Sequence, residues 1–367
     1  MRDPRVLALA RVLVGYSTAI EPDEVCMIEG EAAAEPLLQA IYEEVLKAGG
    51  HPIMNMGATG QAAAYFKHAS DAQLDWVSPI AAWAAENADA RIAVMASANT
   101  RALSQVDPER QTRRRRATEP LMSQALERAA KGEYKWAVTL FPTHAYASEA
   151  ELDLAAYEDF YFSACLADEP DPVAAWKNQS EEVRRLADWI EGREEVHITA
   201  AGTDLRLSIA GRTFIPADGR HNMPDGEFFT GPVEDSAEGE ITFHLPATYG
   251  GRQVSGVRFE FLGGKVVEAT AERGEEFLLD TLDTDEGARR LGELGIGTNF
   301  GITKATGEIL LDEKIGGTVH LAVGRSYPET GGTNESAVHW DMICDLREGG
   351  RIEVDGDVLL EDGRFVV

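Results

Sequence analysis

Apolar and polar positions change their period once along this chain. Through the first half, stretches with helical spacing alternate with short apolar runs. Residues 5–16, 32–48, 79–87 and 107–131 carry the helical pattern. Ser78-Pro79 and Asp107-Pro108 place a capping side chain before a proline at the first helical position. Gly49-Gly50 closes the second of these helices. Residues 23–30, 51–56, 90–96 and 134–141 are short, mostly apolar runs between the helices and read as strands. Such alternation predicts a mainly parallel sheet with helices on its faces. Helical spacing then dominates residues 149–190. After Glu191-Gly192-Arg193 the pattern shifts to period two. Residues 196–200 and 205–209 alternate, and β-like runs follow at 241–245, 254–261, 266–269 and 318–323, with glycine-rich turns between several of them. Residues 284–294 read as one helix within this β-rich half. The predicted architecture is an α/β N-terminal domain over residues 1–192 and an α+β, β-rich C-terminal domain over residues 193–367.

Composition narrows the setting. A chain of 367 residues with 44% hydrophobic positions has room for two cored domains. No apolar run reaches the ~18 residues of a spanning helix, so no membrane association is expected. Arg11 interrupts the apolar stretch near the N-terminus, which predicts an amphipathic helix and not a signal peptide. Cys26, Cys165 and Cys344 are odd in number and scattered, which argues against a disulfide framework and for the cytoplasm. The net charge is −29, and only 8 of the 34 basic residues are lysine. So many carboxylates with so few lysines suit a protein of a high-salt, halophilic cytoplasm, where ions screen self-repulsion. The same charge disfavours a nucleic-acid partner. Arg113-Arg114-Arg115-Arg116 is the exception, but on a helix its side chains fan around the axis and pair with the acidic surface or with water.

The candidate chemistry lies in the second half. His339 and Asp341 stand two apart in an apolar run and project to one face of a strand, as a metal half-site would require. A lone His-x-Asp is common as a plain hydrogen-bonded pair, so further donors decide its meaning. His320 lies in the apolar run Thr318-Val319-His320-Leu321-Ala322-Val323. Glu227 follows a Pro-Asp-Gly turn, and turns display functional groups. Glu293 has Gly292 beside it and Gly295 two residues on, which leaves room for a ligand close to its carboxylate. Together these predict a carboxylate-rich metal site. A Gly-x-Ser-x-Gly elbow, a His-Glu-x-x-His helix, a Walker A loop and a Gly-x-Gly-x-x-Gly after a strand are all missing from the sequence, so no nucleotide cofactor is expected.

Several motifs in order resemble the aminopeptidase T (thermophilic aminopeptidase) family of metallopeptidases. They are Asn222-Met223-Pro224-Asp225-Gly226-Glu227, Glu286-Gly287-Ala288-Arg289-Arg290-Leu291-Gly292-Glu293, Leu311-Asp312-Glu313-Lys314-Ile315-Gly316-Gly317-Thr318-Val319-His320, Gly324-Arg325-Ser326-Tyr327, and Asn334-Glu335-Ser336-Ala337-Val338-His339-Trp340-Asp341. The resemblance implies a dinuclear site with Glu227, Glu293, His320, Tyr327, His339 and Asp341 at the ligand positions. It implies two divalent ions per chain (zinc, cobalt or manganese) and a homodimer enclosing the active sites. The implied activity is removal of N-terminal residues from short peptides through a metal-activated water. Two ions ~3.5–4 Å apart need a bridging carboxylate, and Glu293, with its nearby glycines, is the expected bridge. Tyr327 is a ligand or a donor to the oxyanion. Glu313 is the candidate general base, in a segment from Asp312 to His320 that is longer than in some relatives.

Two other functions remain open to the sequence. A mononuclear iron ring-opening dioxygenase of similar fold would use two histidines and one carboxylate, which His320, His339 and Asp341 supply, but it has no use for Glu227 and Glu293. A non-enzymatic acidic protein binding cations loosely would need no histidine. The charge itself gives a prediction: the melting temperature should rise between dilute buffer and molar KCl. Equal melting temperatures in the two would remove the halophilic reading.

Overall fold

The computed structural model describes residues 3–367. The chain divides into two compact units. The first contains a five-stranded sheet in the order His51–Gly57, Val25–Glu31, Ala90–Met95, Lys135–Leu140 and Asn222–Met223. Every pairing in it is parallel. The helices Glu35–Ala48, Pro79–Asn87 and Pro108–Ala130 fall between strands as the alternation predicts. The last strand is supplied by Gly219–Pro224, a segment that returns to this unit from later in the chain. On Pro108–Ala130, Arg113 pairs with Asp71 and Asp75 at 2.6 Å each, and Arg114 donates to the carbonyls of Leu74 and Trp76. All three cysteines are free and buried.

The division between units does not fall near residue 192. It falls between Trp176 and Lys177, inside the helix Pro172–Ile190. The physical reason is the helix's apolar face. Val183, Leu186, Ala187 and Ile190 are buried in the core of the second unit. The change of period after residue 191 therefore marks where strands begin, and the second unit has already begun one helix earlier.

The second unit holds an eight-stranded sheet in the order Lys265–Thr270, Val257–Leu262, Glu238–Phe243, Thr203–Ser208, Glu195–Ala200, Arg351–Val354, Asp357–Glu361 and Arg364–Phe365, antiparallel throughout. It also holds a five-stranded antiparallel sheet of β1 (Ile215–Ala217), β2 (Glu227–Thr230), β3 (Leu291–Gly297), β4 (Thr318–Gly324) and β5 (His339–Asp345). These five pair in chain order, β5-β4-β3-β2-β1. One hydrophobic core takes Ile198, Leu205 and Phe259 from the larger sheet and Phe228, Leu294, Leu321 and Trp340 from the smaller.

Residues 284–294 do not form the predicted helix. A short 3₁₀ turn covers Glu286–Arg289, and β3 begins at Leu291. A bulge explains the misleading spacing. Leu291 pairs with Val323 and Leu294 with Leu321, so three steps on β3 face two on β4. Both leucines thus reach the core while keeping a helix-like separation of three. Gly292 sits at the bulge, where a β-carbon would overlap the carbonyls of Gly324 and Arg325.

Candidate metal centre

Alternation along the smaller sheet sends one set of side chains to the core and the other to the opposite face. Phe228, Leu294, Ile296, Val319, Leu321, Val323, Trp340, Met342 and Cys344 enter the core. Their alternates include Glu227, Phe229, Glu293, His320, His339 and Asp341. Cross-strand register brings these into rows. Glu293, Ala322 and Asp341 form one row, and Phe229, Gly295, His320 and Ile343 another. Small residues in both rows leave space for the large polar side chains. A β-carbon on Gly295 would overlap the His320 imidazole, so that ring occupies the volume a side chain at 295 would fill.

The polar groups form two overlapping sets. Glu227, Glu293 and His320 each offer a ligand atom within 4.8 Å of the other two, and Glu293, His339 and Asp341 do the same. His320 Nε2 lies 3.3 Å from Glu227 Oε2 and 3.5 Å from Glu293 Oε1. His339 Nε2 lies 3.2 Å from Glu293 Oε2 and 3.6 Å from Asp341 Oδ2. Each oxygen of Glu293 therefore faces a different imidazole, and this one carboxylate joins the two sets. His339 Nδ1–H donates to the Arg325 carbonyl at 2.8 Å. That bond sets the tautomer and turns Nε2 toward the carboxylates, an arrangement found behind metal-binding histidines.

Burial makes the cluster electrostatically demanding. Burial pushes the Glu227 carboxyl up to about 8, against the pull of the Lys314 ammonium. Burial would raise Glu293 too, but hydrogen bonds to His320 and His339 bring it down to about 2. Burial disfavours charge on both imidazoles, yet the carboxylates prevail: Glu293 and Glu227 hold His320 at about 10, and Glu293 and Asp341 hold His339 at about 9. Asp341 is raised by burial to about 6. Protons on the imidazoles and the Lys314 ammonium thus set positive charge beside the carboxyl groups.

The residues fit divalent ions. Among the described residues, Glu227 Oε2 and Asp341 Oδ1 are buried acceptors with no hydrogen-bond donor, one in each set. Three carboxylates with two imidazoles are a donor set suited to zinc, cobalt or manganese. Tyr327 stands beside them, its ring 5.1 Å from that of His339 and 5.5 Å from that of Phe229. Its hydroxyl is driven above the usual phenol range by desolvation and by Glu293 and Asp341, so it keeps its proton. Glu313, half-buried, is ion-paired to Lys314. Two residues were not singled out as functional from the sequence. Lys314 is completely buried and donates to Glu227 at 3.2 Å, and Asp225 lies 3.8 Å from its ammonium. The available signal was a lysine, one of only eight, set among Leu310, Leu311 and Ile315.

Comparison with known proteins assigns the chemistry. The thermophilic metalloprotease family (M29) matches residues 2–365. This chain belongs to that family. It is a metal-dependent hydrolase of peptide bonds. Aminopeptidase T of Thermus thermophilus is 32% identical over 305 residues, 75% of this chain and 73% of that protein. Aminopeptidase 2 of Geobacillus stearothermophilus is 25% identical across 97% of this chain and 94% of its own length. The solved structure of wild-type AmpT from Thermus thermophilus superposes with a TM-score of 0.84 at 27% identity, covering 99% of each chain. A 2,5-dihydroxypyridine dioxygenase from Pseudomonas putida KT2440 shares the fold, with a TM-score of 0.60 at 13% identity over 99% of this chain and 97% of its own. Membership of a metalloprotease family removes the non-enzymatic reading. Among the described residues, no helix is long and apolar enough to cross a membrane.

Two predictions follow from the geometry. Gly295→Ala should displace the His320 ring and weaken Zn²⁺ binding by roughly 10-fold or more, the scale of losses when the support of a ligand is disturbed. A competitive chelator titration measures it, and wild-type affinity in the variant would refute the steric argument. Ion binding should also release protons. The stabilising charge on His320 and His339 is complete below the ordinary imidazole value of about 6.5 and is lost as pH climbs through about 9 and 10. Because a ligating imidazole must be neutral, affinity should rise with pH toward that window. Calorimetry in two buffers of different ionisation enthalpy should give different heats, and identical heats would contradict it.

Proposed function

We propose that this metalloprotease is an aminopeptidase whose site holds two divalent ions (zinc, cobalt or manganese) and which removes N-terminal residues from short peptides. The observation that carries the reading is the sharing of Glu293 between two ligand sets. Bound divalent ions would polarise the scissile carbonyl and lower the pKa of bound water to about 7. Glu293 would bridge, with Glu227 and His320 on one side and His339 and Asp341 on the other. His339 is held rigid by its bond to the Arg325 carbonyl. Tyr327, protonated and beside His339, would ligate or donate its O–H to the developing oxyanion. Glu313 would carry the proton from water to the leaving amine.

The Thermus and Geobacillus relatives, both called aminopeptidases, support exopeptidase action. The motifs described above support a homodimer enclosing the sites, which would exclude long folded chains. The acid excess supports an origin in a high-salt cytoplasm. The ring-opening alternative requires both imidazoles and one carboxylate at a single ion. Here His320 and His339 fall in separate sets with Glu293 between them, which favours the peptidase.

The direct test compares a short peptide bearing a free amine with its N-acetylated twin, in molar KCl. Cleavage of the free-amine peptide alone, lost on chelation and restored by about two ions per chain, is the expected result. Cleavage of both peptides would remove the aminopeptidase assignment. Restoration at one ion per chain would remove the dinuclear one.

A further inference from the structure

Among the described residues, Lys314 is the one buried cation that the reaction described above does not use. Its ammonium contacts Asp225, Glu227 and Glu313, and its side chain is fully buried. The backbone presets this arrangement. The Lys314 carbonyl accepts from the Asn299 N–H at 3.0 Å, and the Asn299 side-chain amide donates to the Asp225 carbonyl at 2.8 Å. The Thr298 N–H donates to the Gly226 carbonyl at 2.8 Å. One short segment, Thr298-Asn299, thus ties the backbone of Lys314 to the turn that carries Glu227.

Resting on the metallopeptidase reading above, we propose that Lys314 is a positioning residue: it engages Glu227 Oε1 and thereby presents Glu227 Oε2 alone to the His320–Glu293 side of the site. The distances divide the carboxylate in this way. Oε1 receives the ammonium at 3.2 Å. Oε2 has no hydrogen bond among the described residues and lies 3.3 Å from His320 Nε2. A carboxylate without such a partner can rotate and offer either oxygen or both. The same ammonium holds Glu313, so one lysine fixes the relative placement of a ligand and the candidate base.

A lysine that merely balances charge would behave in the opposite way. Removing a positive charge near a bound cation strengthens cation binding by simple Coulomb attraction. Removing a positioning group weakens it, on the scale of 10–100-fold seen for groups that orient ligands.

The test uses Co²⁺ with the full chain, comparing wild type, K314M and the double variant K314M/D225N. The double variant restores the local charge and guards against loss of folding from stranded carboxylates. Expected for both variants are a roughly 10-fold or greater loss of Co²⁺ affinity, an altered visible Co²⁺ spectrum, and a fall in kcat with little change in KM. Unchanged or tighter Co²⁺ binding by K314M with a wild-type spectrum would overturn the proposal. So would recovery of wild-type affinity and spectrum in the double variant, which would assign Lys314 to charge balance. These outcomes leave wild-type cleavage intact and so are distinct from failure of the peptidase reading, in which the wild type itself would neither bind Co²⁺ nor cleave.

Discussion

Charge that is taken out of water must be matched, and the smaller sheet of the second unit is arranged around that requirement. Three carboxylates and two imidazoles crowd one face, with nitrogen-to-oxygen separations of 3.2–3.6 Å. Burying an unmatched ion costs several kcal/mol even after relaxation. The other face of the same strands carries Phe228, Leu294, Leu321, Trp340 and Met342, all buried. Each large apolar side chain fully buried there contributes about 1.5–3 kcal/mol. The polar face is tolerable because the apolar face anchors the same backbone, residue by alternate residue.

Room is the second half of this arrangement. An imidazole and two carboxylates cannot share neighbouring rows of a pleated sheet unless something between them is small. Gly295 yields its volume to His320, and Ala322 separates Glu293 from Asp341. On the flank, the buried ammonium of Lys314 meets the carboxylates that no imidazole reaches. The cluster is therefore compensated in layers, first by imidazoles and then by a lysine.

Much of this was legible in the sequence. The apolar runs around His320 and His339 placed both on strands, and the spacing of two put Asp341 on the face of His339, because the side to which a residue points depends only on the local pleat. Glu293 was recognisable as a carboxylate with small neighbours, but its strand was hidden. The bulge at Gly292 lets Leu291 and Leu294 share the core face at a spacing that imitates a helix. The division of the chain was hidden for a related reason. An amphipathic helix shows that it has an apolar face, and only the tertiary structure shows that the face of Val183, Leu186 and Ile190 serves the second unit. Lys314 and Asp225 were the least visible, since a lysine is solvated by default and its burial depends on partners 87 and 89 residues away in the chain.

The meander of β2 to β5 also sets where this protein can change length over evolutionary time. Adding or deleting one residue within β4 or β5 would exchange the two faces downstream, sending Val319 or Trp340 to the polar face and His320 or His339 to the core. Such a change is lost at once. Between β3 and β4, and between β4 and β5, no such parity holds. Within β4 and β5, where no bulge takes up an extra residue, the two faces can therefore vary by substitution and not by a change of length.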